Sequence, residues 1–353
     1  MHAVHAFLRG GRLVAATLCC LLALGPAGTQ ADPVAPRYEI RNLGRLPGMV
    51  SVEATAVSNQ GSVVGSGKNR SGLRQAFIVR DGEMQPLPAL ADGHDSLVFG
   101  INNLDVATGV AENAAGRFRA VVFRGGQTEE LFGLPLTGTA SGYAINDVGT
   151  VVGMADSRPY IHEAAGTSWI DIPGSISPIV QALNNAGQVL LNEYGLPGRF
   201  YVYDNGRATT VVGIGEPEYF LATDINDAGQ IVGYAFINSR TRTFIYSGGR
   251  YRLLPDLPDG LGFQGMRINN RGWVVGNRLT GGRVDPFLYR SGVMYDLRSL
   301  MRPASASHWL TLFVRDMNDR GQIIGVGSYQ RVNAVYLRSF IASPVPQNPT
   351  AGQ

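Results

Sequence analysis

One nine-residue motif recurs seven times along this chain, and that recurrence limits the folds open to it. VSNQGSVVG begins at Val57, INNLDVATG at Ile101, INDVGTVVG at Ile145 and LNNAGQVLL at Leu183. INDAGQIVG begins at Ile225, INNRGWVVG at Ile268 and MNDRGQIIG at Met317. Successive starts lie 44, 44, 38, 42, 43 and 49 residues apart. A single repeat cannot bury its apolar face alone and must stack on its neighbours. The period exceeds a β-helix coil and fits a four-stranded propeller blade of roughly 43 residues.

Each copy holds four β-like runs. In the second copy these are residues 99–102, 106–111, 119–126 and 128–134. Third runs elsewhere read QAFIVRDG, RFYVYDNG, RTFIYSGG and DPFLYRSG. Apolar residues on both sides of such strands suit sheets packed face to face. Glycine at 46 of 353 residues, roughly twice its usual share, and 16% charged residues agree with an all-β chain rich in turns.

The motif itself reads as a hairpin turn. Asn and Asp hydrogen-bond nearby backbone and tolerate positive φ, and glycine adopts it without steric cost. The turn residues are Asn102, Asn146, Asp147, Gly149, Asn184, Asn226, Asp227, Gly229, Asn269, Gly272, Asn318 and Gly321. A ring of calcium loops would demand several carboxylates. The third turn position instead holds Asn59, Asn103, Asn185 and Asn270 beside Asp147, Asp227 and Asp319, so a structural turn is expected and no metal. The glycine after the second strand (Gly65, Gly109, Gly153, Gly233, Gly276 and Gly325, with Leu191 in the fourth copy) marks a bulge or a close backbone approach.

The seventh copy has three strands, and its missing fourth lies at the other end of the chain. YEIRNLGRLPG, from Tyr38, resembles MYDLRSL and YRLLPDLPDG in type. A ring explains this, because an N-terminal strand pairing onto the last blade removes a free edge. The expected fold is therefore all-β: a seven-bladed propeller over residues 38–343, closed by the N-terminal strand. A linker is expected at 32–37 and a disordered tail at 344–353.

Residues 1–31 read as a secretory signal peptide, with Arg9 and Arg12 ahead of the apolar run Leu13–Ala27 and small residues at Thr29 and Ala31. The cleaved chain would be periplasmic or extracellular. Cys19 and Cys20 are the only cysteines, so cleavage removes every thiol, which excludes disulfides, thiol catalysis and Cys-based zinc sites. The remaining 28 basic and 27 acidic residues make no electrostatic case for nucleic acid. No later segment is long and apolar enough to span a membrane. A monomer is expected.

INDAGQIVGYA, RQAFIVRDGEMQPLP and FLYRSGVMYDLRSL together resemble the repeat of the HAF-repeat family of bacterial exported proteins. That repeat centres on IN-[DN]-x-G-x-VVG, followed by a His-Ala-Phe-type strand. The resemblance covers most of residues 38–341 and implies export, without implying an activity or a cofactor. The family's His position holds Gln75, Arg119, Pro159 or Thr243 here.

Function is expected on the propeller face with long, irregular loops, since variable loops on rigid scaffolds carry sites. Crossings between blades should rim the central channel and bring His94, Asp95, Tyr143, Glu216, Glu218, Tyr219, Phe263, His308 and Trp309. Aromatics with a few carboxylates suit a sugar or another small polar ligand. Loops between second and third strands bring Arg70, Arg74, Arg117, Arg119, Arg240, Arg242 and Arg283, which suit an anionic polymer unless acids on the same rim partner them. The three histidines after residue 31, His94, His162 and His308, share no metal spacing. A binding module for a glycan or protein ligand is the leading expectation. A hydrolase or lyase using His94, His308 and Glu218 is the second, and a structural envelope component the third.

Overall fold

The computed structural model describes residues 35–131, 133, 138–194, 198–214, 219–257, 262–280 and 283–346. Residues 1–34, which include the expected signal peptide, Glu216, Glu218 and the tail from residue 347 lie outside them. Among the described residues the chain forms 28 strands, one short 3-10 turn and a four-residue helix. Five sheets have four strands each. A sixth has eight, made of two antiparallel four-stranded groups joined only by the parallel bridge Thr241↔Gly262.

Within a group the strands run in sequence order. The first group is Met49–Val57, Val63–Asn69, Arg74–Arg80 and Glu83–Leu87. Four further groups of this kind follow over 96–130, 140–169, 178–212 and 219–253, and another over 262–296. Second strands are buried on both faces, as in Ala107–Glu112. Fourth strands such as Gln127–Glu130 and Arg250–Leu253 alternate exposed and half-buried residues, as expected of a sheet's outer edge.

The last sheet joins the first and last strands of the described residues. Its order is Tyr38–Asn42, Ala334–Pro344, Ile323–Arg331, Phe313–Met317. Tyr38 pairs with Pro344 and Asn42 with Phe340. The N–H of Val345 donates to Arg37 O at 2.8 Å, so ordered pairing runs past residue 343, where the sequence placed the domain's end.

Two local features explain the repeated glycines. Each first strand carries a register shift, between Ala54 and Ala56, Val98 and Gly100, Gly142 and Ala144, and at the matching points of the remaining four copies. A Cβ on the facing glycine of the second strand would meet backbone oxygen: Glu53 O at 2.2 Å from Gly65, Leu221 O at 2.2 Å from Gly233 and Phe313 O at 2.1 Å from Gly325. The same glycines seat a ring from the third strand. Gly65 pairs with Phe77, Gly233 with Phe244, Gly276 with Phe287 and Gly325 with Phe340, and all four rings are fully buried. The VVG and AF signals of the repeat are therefore two halves of one contact. In the fourth copy Leu191 faces Tyr201 instead, both buried.

The N-terminal strand buries Tyr38, Ile40 and Leu43, each contributing about 1.5–3 kcal/mol. Deleting residues 35–44 should therefore lower the thermal midpoint sharply or cause aggregation. Deleting 347–353 should leave it unchanged. Circular-dichroism melts of the two truncations check this, and equal midpoints would contradict the closure.

Candidate functional site

The seven turns face one another at one end of the first strands. Their glycines adopt positive φ as expected: Gly61 at 93°, Gly149 at 87°, Gly229 at 70°, Gly272 at 71° and Gly321 at 77°, with Asp105 at 57° in the second copy. The second turn residue caps its own turn and reaches to the next. Asn226 Oδ1 accepts from Gln230 N at 2.9 Å, and its Nδ2 donates to Asn269 O at 3.0 Å. The same link runs from Asn102 to Asn146 O, Asn184 to Asn226 O, Asn269 to Asn318 O and Asn318 to Ser58 O.

The third turn residues form a closed cycle. The N–H of Asn59 donates to Asn103 Oδ1, that of Asn103 to Asp147, that of Asp147 to Asn185 and that of Asn185 to Asp227. Asp227 donates to Asn270, Asn270 to Asp319, and Asp319 back to Asn59. All seven distances lie between 2.7 and 2.9 Å. The mixture of Asn and Asp is functional within the ring. Asn59 and Asn270 Nδ2 both donate to Asp319 Oδ2, and Asn185 and Asn270 Nδ2 to Asp227 Oδ2. The carboxylates are engaged by amide donors, and these residues line a cavity of about 190 Å³ at the turn end.

Further along the same strands, away from the turns, lies a larger cavity of about 370 Å³. It is lined by Glu53, Thr55, Phe99, Tyr143, Gln181, Met266, Arg267 and Arg315, with Ala54. Six of these lie at the strand register shifts: Thr55, Phe99, Tyr143, Gln181, Met266 and Arg315 are the extra residues that the bulges leave unpaired. A bulge re-aims the extra side chain, and here it aims them into the mouth. Phe99 and Tyr143 meet edge to face with centroids 5.7 Å apart. Arg315 stacks on Phe313 at 4.9 Å and lies 3.6 Å from Glu53.

An ion pair sits where the two cavities meet. Asp224 and Asp316 line the turn-side cavity and Arg267 the mouth. Arg267 Nε lies 3.5 Å from Asp316 Oδ1. Asp224 Oδ2 accepts from Ile268 N and Asp316 Oδ2 from Val57 N, both at 2.9 Å. Burial pushes the Asp224 carboxyl up from 3.8 to about 6, against the pull of the Arg267 guanidinium and the Ile268 N–H, with Asp316 adding to the rise. Burial also raises Asp316. The equivalent positions in the first four copies are Ala56, Gly100, Ala144 and Ala182, so this charge lies on one side of the channel.

Of the described residues expected at the rim, Tyr143 alone lines the mouth. Phe263 and Trp309 are corrections: each is only 2% exposed. Phe263 packs edge to face on Phe287, and Trp309 on Phe340 and Tyr329. Neither presents a face to a ligand. His94 is exposed and its N–H donates to Glu112. Asp95 accepts from Arg74 N and pairs with its guanidinium at 3.3 Å. Tyr219 is 48% exposed and stands beside Tyr234. His308 is exposed beside Tyr329. With Glu218 outside the described residues, no gathering of His94, His308 and Glu218 is seen. Among the arginines, Arg74, Arg119 and Arg242 pair with Asp95, Glu130 and Asp256. Arg70, Arg117, Arg240 and Arg283 are exposed. The mouth residues were findable: three positions before the motif's first Asn column the copies read Thr, Phe, Tyr, Gln, Thr, Met and Arg, variable where the position before them is always Ala, Val or Gly.

Among the described residues no group of three or more His, Cys, Asp or Glu is placed to hold a metal. No described helix is long and apolar enough to cross a membrane. No protein-family model matches the sequence, and no curated protein matches it. Solved structures do match. A catalytically inactive virginiamycin B lyase from Staphylococcus aureus with quinupristin aligns over 87% of this chain and 100% of its own, with 12% identity and a TM-score of 0.57. The β-propeller domain of the Trilobed protease from Pyrococcus furiosus aligns over 84% and 94%, with 11% identity and a TM-score of 0.55. YCF48 bound to the D1 peptide aligns over 88% and 97%, with 12% identity and a TM-score of 0.55. At such identity these likenesses speak for the fold alone, and the fold is a repeat-built β-propeller.

The raised carboxyl has a consequence for stability. A proton binds Asp224 more tightly in the folded chain than in the unfolded one. Its contribution is therefore fully present below the unfolded value and is lost as pH rises through about 6. Asp224→Asn keeps an acceptor for Ile268 and removes the buried charge. It should be more stable than the parent at pH 7.5, with the gap closing toward pH 4. Urea unfolding at both pH values reads the gap, and a gap independent of pH would contradict the account.

Proposed function

We propose that this chain is an exported seven-bladed β-propeller that binds a carbohydrate, or a similar polar unit of an envelope polymer, in its channel mouth. The count of seven rests on the seven-membered cycle of turn hydrogen bonds. Membership of the HAF-repeat family and export rest on the repeat core and on residues 1–31.

The observation that carries the ligand reading is the mouth's two-sided lining. Phe99 and Tyr143 from the second and third copies stand against Met266, Arg267 and Arg315 from the sixth and seventh. The aromatic wall takes the C–H face of a sugar ring, while Gln181, Glu53 and Arg315 take its hydroxyls or a carboxylate. A volume of about 370 Å³ falls in the range of small-molecule sites. Of the residues assigned to the hydrolase or lyase alternative, His94 and His308 do not line this cavity, and Glu218 lies outside the described residues.

A glycan array probed with residues 35–353 should yield a bound sugar class. Against that sugar, Tyr143→Ala should lose affinity at least tenfold by titration calorimetry, or roughly 1.4 kcal/mol, with little change in melting temperature. His308→Ala should bind as the parent does. Equal affinity of the Tyr143→Ala protein and the parent would remove the mouth from consideration.

A further inference from the structure

The hairpin Ile323–Arg331/Ala334–Pro344 outgrows the sheet that carries it. It stays paired from Ile323↔Ala342 to Arg331↔Ala334. The neighbouring strand on one side ends its pairing at Val326, and that on the other at Phe340. Five pairs therefore project beyond the sheet, roughly 17 Å of two-stranded ribbon at ~3.4 Å per residue. Residues 308–311 brace one edge, through Leu310 N to Ser328 O and Gln330 N to His308 O, both 2.8 Å.

The ribbon's exposed surface is largely apolar, with Gln330, Arg331 and Asn333 as its polar residues. Val332 is 85% exposed, Val335 56%, Leu337 43%, Tyr336 40% and the bracing Leu310 42%. Val332 also sits at φ +49°, a left-handed conformation that a β-branched residue adopts only at a cost. Glycine or asparagine would fill this turn more favourably. Val335 and Leu337 project from one face of the ribbon and Tyr336 from the other, because side chains alternate along a strand. A docking protein covers one face. A tip with apolar residues on both faces and at its apex, beside polar Gln330, Arg331 and Asn333, fits a lipid headgroup boundary, which surrounds it and takes both kinds of side chain.

Charge points the same way. The tip belongs to the connection between a second and a third strand, as do exposed Lys68, Arg70, Arg117, Arg240, Arg283 and Arg331. All of these connections emerge at the end of the blades opposite the repeated turns. From Arg320 to the C-terminus the chain contains no acidic residue. We propose that this face docks on an anionic lipid surface, the hairpin tip entering the headgroup boundary and the basic loops meeting lipid phosphates. The combination of an apolar insertion and a basic surround is what stable peripheral binding requires. This proposal is independent of the ligand in the mouth.

The test is co-sedimentation of residues 35–353, which contain every described strand, with vesicles. Vesicles of equal parts phosphatidylglycerol and phosphatidylcholine should carry the protein down, and less so at high salt. Pure phosphatidylcholine should not. Val332→Gly relieves the backbone and removes the apex side chain. It should keep or raise the melting temperature while cutting lipid binding about tenfold, and adding Leu337→Asp should abolish it. Arg70→Ser with Arg240→Ser should weaken binding to anionic vesicles alone. Tyr336→Trp should shift its fluorescence to the blue on binding. Absence of binding to anionic vesicles would overturn the proposal. So would unchanged binding by the Val332→Gly, Leu337→Asp protein alongside loss in the arginine variant, which would indicate a soluble anionic polymer.

Discussion

The rest of the structure depends on a side chain accepting a hydrogen bond from the backbone of the preceding repeat. Each third turn residue takes the N–H of the copy before it and gives its own N–H to the copy after. One such bond contributes about 0.5–1.5 kcal/mol net, little against a domain's total. Seven in a head-to-tail cycle act differently, because aligned bonds polarise one another and no link can break without opening the whole ring. The parallel series of second turn residues is less complete. Ser58 stands where other copies have Asn, its hydroxyl is buried without a partner, and it offers only its carbonyl to Asn318.

Fixing the turns fixes the first strands, and the bulges then set what the channel can hold. A glycine on the second strand lets the backbone of the first approach closely, and an aromatic ring from the third closes over it. The looped-out residue has nowhere to go but inward. Two of the seven serve the scaffold through their hydroxyls: Thr55 Oγ1 to Val98 O at 3.0 Å and Thr223 Oγ1 to Gly265 O at 2.9 Å. Phe99, Tyr143, Gln181, Met266 and Arg315 are left to line the mouth. The site residues thus lie two positions ahead of the nine-residue motif that builds the scaffold.

Much of the fold was legible because turn chemistry and strand period repeat. Asn226 and Gly229 had to be a turn in any fold, and Tyr38 had to find a partner for its strand. The site was less legible for a physical reason. Reasoning from loops assigned the channel to the crossings, and the bulges moved it onto the first strands. Trp309 and Phe263 read as rim aromatics from their place in the sequence, but packing against Phe340 and Phe287 buries them. The pairing of Arg74 with Asp95 and of Arg242 with Asp256 joins residues 21 and 14 positions apart, within one repeat yet invisible to its linear pattern. Separating paired from unpaired arginines therefore needed the folded structure.

Amide hydrogen exchange at the seven third turn positions tests the ring most directly. The account predicts slow exchange at Asn59, Asn103, Asp147, Asn185, Asp227, Asn270 and Asp319, with the Asn59 and Asp319 amides as protected as the other five. Fast, loop-like exchange at Asn59 and Asp319 beside slow exchange elsewhere would mean that the cycle is open between the first and last copies.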